Sequence, residues 1–219
     1  MGIRLESISK RYKRNNRETD VLNNLNIDFP FGKFVVLSGE SGTGKSTLLN
    51  IISGLIRPTE GKVYFEDNPI TDLGEDKLSD FRSKKLGIVT QNCELVSYLT
   101  VLENLKLSYR MNKGYEAEVN DEITDRLLEK LGLSELKNEY QENLSSGEIK
   151  RAAIARGLIA DPEVIIMDEP TANLDRKNVV KVLELLKEYK DKGSTVIISS
   201  HENQAVNFAD VHINMEEYK

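Results

Sequence analysis

The stretch SGESGTGKSTLLNII, Ser38 to Ile52, constrains this chain more than any other. Within it, Gly39-Glu-Ser-Gly-Thr-Gly44-Lys45-Ser46 satisfies the pattern G-x-x-x-x-G-K-[ST]. An apolar run precedes it and a helix-like apolar stripe follows, which is the context the pattern requires. Glycines allow successive backbone N–H groups to turn inward and form a concave nest for anionic oxygens. The helix that follows adds its free N–H groups and the positive end of its dipole. Lys45 supplies a mobile point charge for terminal phosphates and Ser46 offers a hydroxyl to Mg²⁺. The ligand this loop implies is a nucleoside triphosphate with magnesium. The loop alone does not separate a kinase from a GTPase or a motor.

Further apolar runs place the loop in a fold. FVVLSG (Phe34–Gly39), LGIVTQ (Leu86–Gln91), VIIMDEP (Val164–Pro170) and TVIISSH (Thr195–His201) do not alternate with polar residues. Unbroken apolar runs of that length read as strands of a parallel sheet covered on both faces. Helical patterns lie between them. Ser46 to Ile56 carries Leu48, Leu49, Ile51, Ile52 and Leu55 on one stripe, and Asp175 to Tyr189 carries Val179, Val182, Leu183, Leu186 and Tyr189. Strand, helix, strand predicts an α/β fold. Residues 1 to 35 read instead as short half-buried strands, with the basic run from Lys10 to Arg17 as a solvated hairpin. The region from about 95 to 160 reads as an inserted helical subdomain, in which Glu118 to Leu133 places Ile123, Leu127, Leu128 and Leu131 on one face. At 219 residues, the whole chain is expected to be a single domain, 1–219.

Composition excludes several classes. No run of 18 apolar residues is present, so no segment is expected to span a membrane. The basic N-terminus lacks the apolar core of a signal peptide, and Glu6 stands where a myristoylation motif needs a hydroxyl. A formal net charge of -6 argues against a nucleic-acid partner. The single cysteine, Cys93, fits a reducing cytoplasm and reads as a small core filler.

Two further stretches say what is done with the nucleotide. EVIIMDEP is a buried strand ending in Asp168 and Glu169. At the carboxyl end of a central strand these acids would face the phosphates. Asp168 is expected to help hold Mg²⁺, and Glu169 to polarise a water for in-line attack on the γ-phosphorus. ENLSSGEIKRAAIARGL, Glu142 to Leu158, carries a capping box from Ser145 to Glu148, with Ile149, Ala152, Ala153 and Leu158 turned to the core. Its N-terminus is a second anion site. One nucleotide on a monomer has no use for two; in a dimer the second would serve the partner's ATP.

With these pieces in view, nearly the whole chain resembles the ATP-binding cassette family. Gly39–Thr47 is similar to the family's Walker A loop, Val164–Asp168 to Walker B with Glu169 as the catalytic carboxylate, and Leu144–Glu148 to the LSGGQ signature. The resemblance implies an α/β P-loop NTPase core of the RecA type with a parallel sheet, an N-terminal antiparallel β subdomain and the inserted helices. It also implies roles by position. The binding set is Tyr12 stacking on adenine, Gly39, Glu40, Ser41, Gly42, Thr43, Gly44, Lys45, Ser46 and Thr47 around the phosphates, Gln91 as the Q-loop glutamine, and Ser145, Gly147 and the D-loop Asp175. Metal contacts fall on Ser46, Gln91 and Asp168, and catalysis on Glu169, His201 and Lys45. His201, closing TVIISSH, matches the switch histidine, whereas His212 matches no motif and reads as structural.

The expected activity is ATP hydrolysis with Mg²⁺, two cassettes (two copies, or this chain with a second cassette) closing head to tail on ATP to drive a separate membrane permease from the cytoplasmic face. The transporters most similar are those that release lipoproteins or export macrolides and antimicrobial peptides, so export of a peptide, lipid or drug-like molecule is implied. A non-transporting cassette that regulates a membrane or cell-division partner is the alternative. The chain departs from the family in three places. Its signature reads LSSGE, with Ser146 where a glycine is usual. Glu40 stands at the loop rim in place of proline. The tail after His201 is short, leaving little room for terminal strands.

Overall fold

The computed structural model describes residues 2–14 and 17–218. In chain order the elements are β1 (Gly2–Arg14), β2 (Arg17–Pro30), β3 (Phe34–Ser38), α1 (Lys45–Ile52), β4 (Glu60–Phe65), β5 (Asn68–Pro69), α2 (Glu75–Lys85), β6 (Leu86–Val89), α3 (Val101–Lys113), α4 (Asp121–Lys130), α5 (Ser146–Leu158), β7 (Val164–Asp168), α6 (Arg176–Asp191), β8 (Thr195–Ser199), α7 (Asn203–Val206) and β9 (Val211–Asn214). They build two sheets. One is antiparallel, in the order β2-β1-β4-β5; the other is parallel, in the order β6-β7-β8-β3-β9.

The four apolar runs form β3, β6, β7 and β8, all in the parallel sheet. Their lack of alternation has a direct cause, because successive side chains enter two different cores. Phe34, Val36, Ile165, Met167, Val196 and Ile198 pack with the helices α3 to α6. Val35, Leu37, Val164, Ile166 and Ile197 pack with α1 and with the inner face of the antiparallel sheet, through Ile3, Leu5, Ile27 and Phe29. Each such side chain, when fully buried, contributes roughly 1.5–3 kcal/mol. The parallel sheet is therefore the shared wall of both cores.

Several sequence expectations are corrected. The N-terminal strands are not short: β1 and β2 run 13 and 14 residues. Register shifts between Leu5 and Arg11 break their alternation, which is why the sequence reads as fragments. The turn of this hairpin, at Asn15 and Asn16, lies outside the described residues. The helix expected to reach Ile56 ends at Ile52; Gly54 turns the chain at φ +67°, and Leu55 is 44% exposed. In α4, Leu127 and Leu128 are buried but Ile123 is exposed. In α5, Ile149 is only partly buried. No pattern predicted α2, whose one buried residue is Leu78 and which carries no apolar stripe. The tail does supply a terminal strand, β9, paired with β3, and Met215 beyond it is buried.

Tight contacts fix α5 and β3. A Cβ on Gly87 of β6 would lie 2.3 Å from the Gly157 carbonyl oxygen, so two glycines let α5 rest directly on the sheet. At the entrance to β3, the Phe34 N–H donates to the Asp210 carboxylate at 2.8 Å and the Asp210 N–H donates to the Phe34 carbonyl at 2.8 Å. That backbone donor holds the Asp210 carboxyl below the ordinary aspartate range, with Lys190 assisting. A depressed folded pKa means stability that is present above the ordinary carboxylate range and lost as pH falls through the folded value. Asp210→Asn is expected to lower stability at neutral pH and to flatten its decline at acid pH, as read from urea unfolding at stepped pH; parallel curves for the two proteins would show that Asp210 contributes nothing.

Candidate nucleotide site

The site is built on the carboxyl ends of three neighbouring strands. From β3, the chain passes through residues 39–44 into α1. Gly39, Gly42 and Gly44 take φ of +135°, +86° and +92°, conformations that favour glycine and that let the chain coil between β3 and α1. Lys45, only 5% exposed, donates from Nζ to the carbonyls of Gly39 at 2.7 Å and Glu40 at 2.8 Å. Burial pushes its ammonium pKa down, against the pull of Glu169, Asp168 and Glu216, so these carboxylates lie within electrostatic reach. Thr43 is buried and its hydroxyl donates to the Glu40 carbonyl at 2.9 Å. Ser46 and Thr47 are half-buried on the first turn of α1, while Glu40, Ser41 and Gly42 are exposed at the rim.

From β7 and β8 come the acids and the histidine. Parallel pairing sets Asp168 opposite Ser199. The Ser199 hydroxyl donates to Asp168 Oδ1 at 2.5 Å and accepts the Glu169 N–H at 2.8 Å. One serine thus ties both acids to the neighbouring strand end. Glu169 adopts φ +49°, a left-handed conformation uncommon for a residue with a side chain. Its Oε1 lies 3.1 Å from His201 Nε2. Asp168 is buried, whereas Glu169 and His201 are accessible to solvent.

The remaining candidates divide by location. Gln91 is exposed just beyond β6, followed by Cys93, which is buried and donates from Sγ to the Thr90 carbonyl at 3.2 Å. Burial raises the Cys93 thiol pKa, which keeps it an unreactive filler. Tyr12 lies on the outer part of β1, 44% exposed, with the Lys10 ammonium 5.2 Å from its ring centroid. Ser145 caps α5 in a reciprocal box with Glu148, whose carboxylate the Ser145 hydroxyl holds below its usual range. The atoms nearest a Cβ on Gly147 belong to Leu174, Arg151 and Asn173, so the α5 N-terminus abuts residues 173 and 174 and not the 39–44 loop. Asp175 caps α6, accepting the Asn178 N–H at 3.0 Å. His212 sits at the foot of the loop, its Nε2 2.7 Å from Ser38 Oγ.

A model of the ABC transporter family matches residues 22–172. The chain belongs to the ABC transporter family. Within it, this cassette is an ATPase of the ATP-binding type. It is 38% identical over 213 residues to the uncharacterized ABC transporter ATP-binding protein MJ0796 of Methanocaldococcus jannaschii, covering 95% of this chain and 90% of that protein. It is 36% identical over 220 residues to the putative hemin import ATP-binding protein HrtA of Staphylococcus aureus, covering 100% and 99%. The dimeric post-hydrolysis structure of MJ0796 bound to ADP and Pi superposes with a TM-score of 0.88 at 36% identity, over 97% of this chain and 93% of that one.

Three residues in the site escaped the sequence reading. Ser199 was legible in principle, because it closes its strand as Asp168 closes the neighbouring one. Glu216 accepts the Glu40 N–H at 3.0 Å from the far end of the chain, and no local pattern announces that contact. Lys150 donates to the Glu169 and Ala172 carbonyls, a contact between distant segments that no motif announces.

Loop geometry sets the expected response to substitution. A Cβ on Gly44 would lie 2.6 Å from Leu22 Cδ2 of β2, whereas one on Gly42 would meet nothing within 4 Å. Both glycines have positive φ, so alanine at either incurs backbone strain of roughly 1–2 kcal/mol. Gly44→Ala is expected to be the more destabilising of the two in urea unfolding, because only it adds a steric clash; equal losses would contradict this local geometry.

Proposed function

We propose that the cassette binds MgATP at residues 39–47 and hydrolyses it with Glu169 as general base. The observation that carries this reading is the Glu169 carboxylate, 3.1 Å from His201 and beside the buried Asp168, on a strand end within electrostatic reach of Lys45. Lys45 would exchange its loop carbonyls for phosphate oxygens, and the loop amides and α1 N-terminus would hold the rest of the triphosphate. Glu169 takes a proton from water as that oxygen bonds to the γ-phosphorus. The bond from the γ-phosphorus to the bridging oxygen then breaks, leaving ADP and phosphate. His201 orients Glu169 and the attacking water.

The donors offered by Ser46, Gln91 and Asp168 are hydroxyl, amide and carboxylate oxygens, the hard set that suits Mg²⁺. These residues would hold the ion. When bound, it neutralises charge on the β- and γ-phosphate oxygens. Tyr12 is the residue we assign to the adenine ring.

Ser145 and Gly147 are assigned to the ATP of a second cassette, facing head to tail, with Asp175 at the junction. Supporting this, the α5 N-terminus is a capped helix end set apart from the 39–44 loop of its own chain, and the superposed relative is a dimer. A γ-phosphate that satisfies both anion sites binds the closed pair better than the open one, and differential affinity of that kind shifts the equilibrium. Moving it from mostly open to mostly closed takes about 5.5 kcal/mol.

No helix among the described residues is long and apolar enough to cross a membrane. We assign transport to a separate permease, as the family implies, docked beside Gln91 and residues 96–107 on the cytoplasmic face. Tyr98, 79% exposed, stands in that stretch, and the buried Asn104 steadies it by bonding Val96, Leu99 and Thr100. Export of a peptide, lipid or drug-like molecule is the direction we favour, and no nucleic-acid partner is assigned at a net charge of -6.

Glu169→Gln is expected to retain ATP binding and to slow phosphate release by about 10²-fold or more; near-normal turnover would remove Glu169 from the role. The same variant is expected to elute from gel filtration as a dimer with MgATP and a monomer with MgADP. Monomer under both conditions would count against the shared-nucleotide arrangement.

A further inference from the structure

Lys150, on α5, is only 9% exposed, yet the two partners of its ammonium are backbone carbonyls, Glu169 at 3.0 Å and Ala172 at 2.9 Å. Burying an ammonium is costly unless its donors are satisfied. An apolar side chain would fill the same space without that cost. What the lysine adds is a hold on one short segment. The Ala172 N–H donates to the Glu169 carbonyl at 3.2 Å, closing a turn. Glu169, which opens the turn, and Asn173, which follows it, both have positive φ, +49° and +63°. Such conformations cost non-glycine residues of order 1–3 kcal/mol each and persist only where the surroundings enforce them.

Glu169 is enforced from both sides. Its N–H is taken by the Ser199 hydroxyl, from the sheet. Its C=O is taken by the Lys150 ammonium, from α5. With the peptide groups on either side of Cα fixed, the direction of the Cα–Cβ bond is fixed too, which narrows the volume the carboxylate can reach to one that includes its contact with His201, 3.1 Å away.

We infer that Lys150 is a positioning residue for hydrolysis: its ammonium pins the Glu169–Ala172 turn so that the Glu169 carboxylate points at the reacting water. The inference rests on Glu169 being the general base. It also joins two sites through one side chain, because Lys150 lies about a turn and a half along α5 from Ser145. Movement of α5 against a partner's nucleotide would reach the chain's own base through this lysine.

A double-mutant cycle separates this role from ordinary packing. Lys150→Met keeps the alkyl chain and removes the donors. In the native background it is expected to lower kcat for ATP by about 10- to 100-fold, the scale of a misplaced catalytic group, with KM little changed. Lys150→Gln, which retains an amide donor, is expected to lose less. In the Glu169→Gln background, where there is no base left to aim, Lys150→Met is expected to leave the residual single-turnover rate within about twofold.

An equal proportional loss in both backgrounds, or a KM rise with unchanged kcat, would overturn the inference while leaving Glu169 as base. Rapid turnover by Glu169→Gln alone would instead remove the base assignment, and the inference with it. Thermal unfolding checks that each variant is folded. If Lys150→Met does not fold, Lys150→Gln passes through the same cycle, with a loss expected in the native background only.

Discussion

Everything the nucleotide would meet depends on the register of the parallel sheet. Residues of β3, β7 and β8 pair so that Leu37, Asp168 and Ser199 end at one level. Both faces of these strands are buried, by helices on one side and by α1 with the antiparallel sheet on the other. A slip by one residue would send each core side chain to the opposite face. The hydrophobic effect therefore sets the register, and the register delivers the lysine loop, the two acids and the histidine to a common edge. The polar chemistry at the top of the sheet is positioned by the apolar residues buried beneath it.

Above that level, hydrogen bonds take over. Ser199 bridges the two acids, and Lys45 gathers the loop onto its own carbonyls. The Ser199 bridge orients the two acids through the sheet, the kind of preorganisation that electrostatic stabilisation of a transferring phosphoryl group needs. Glu169 is the exception in exposure: it stands at a strained backbone position with its carboxylate open to solvent. Rigid support beneath an accessible group is a suitable arrangement for a residue that has to exchange protons with water.

Much of this was legible in the sequence, for reasons that differ by element. Buried strands announce themselves because both cores demand apolar residues, so runs such as VIIMD carry their own signature. The 39–46 loop and the Ser145–Glu148 box are equally legible, since short-range backbone chemistry restricts the residues allowed. The long N-terminal hairpin was harder to read, because its register shifts erase the period-2 pattern. The helix α2 was hidden by having little to bury. Contacts between distant segments left no trace: Lys150 on the Glu169 carbonyl and Glu216 on the Glu40 amide depend on how α5 and the tail pack. The individual catalytic and binding roles rest on family resemblance and placement together, since spacing alone assigns no function to Gln91, Tyr12 or Asp175.

The Glu216 contact has a practical bearing on protein engineering. The segment after β9 lies against the phosphate loop, and its carboxylate is among the charges felt by Lys45. Chimeras that graft the tail of one cassette onto the body of another would transplant a charge to the rim of the 39–44 loop. Nucleotide affinities compared across such chimeras would mix the chemistry of the loop with that of its neighbour.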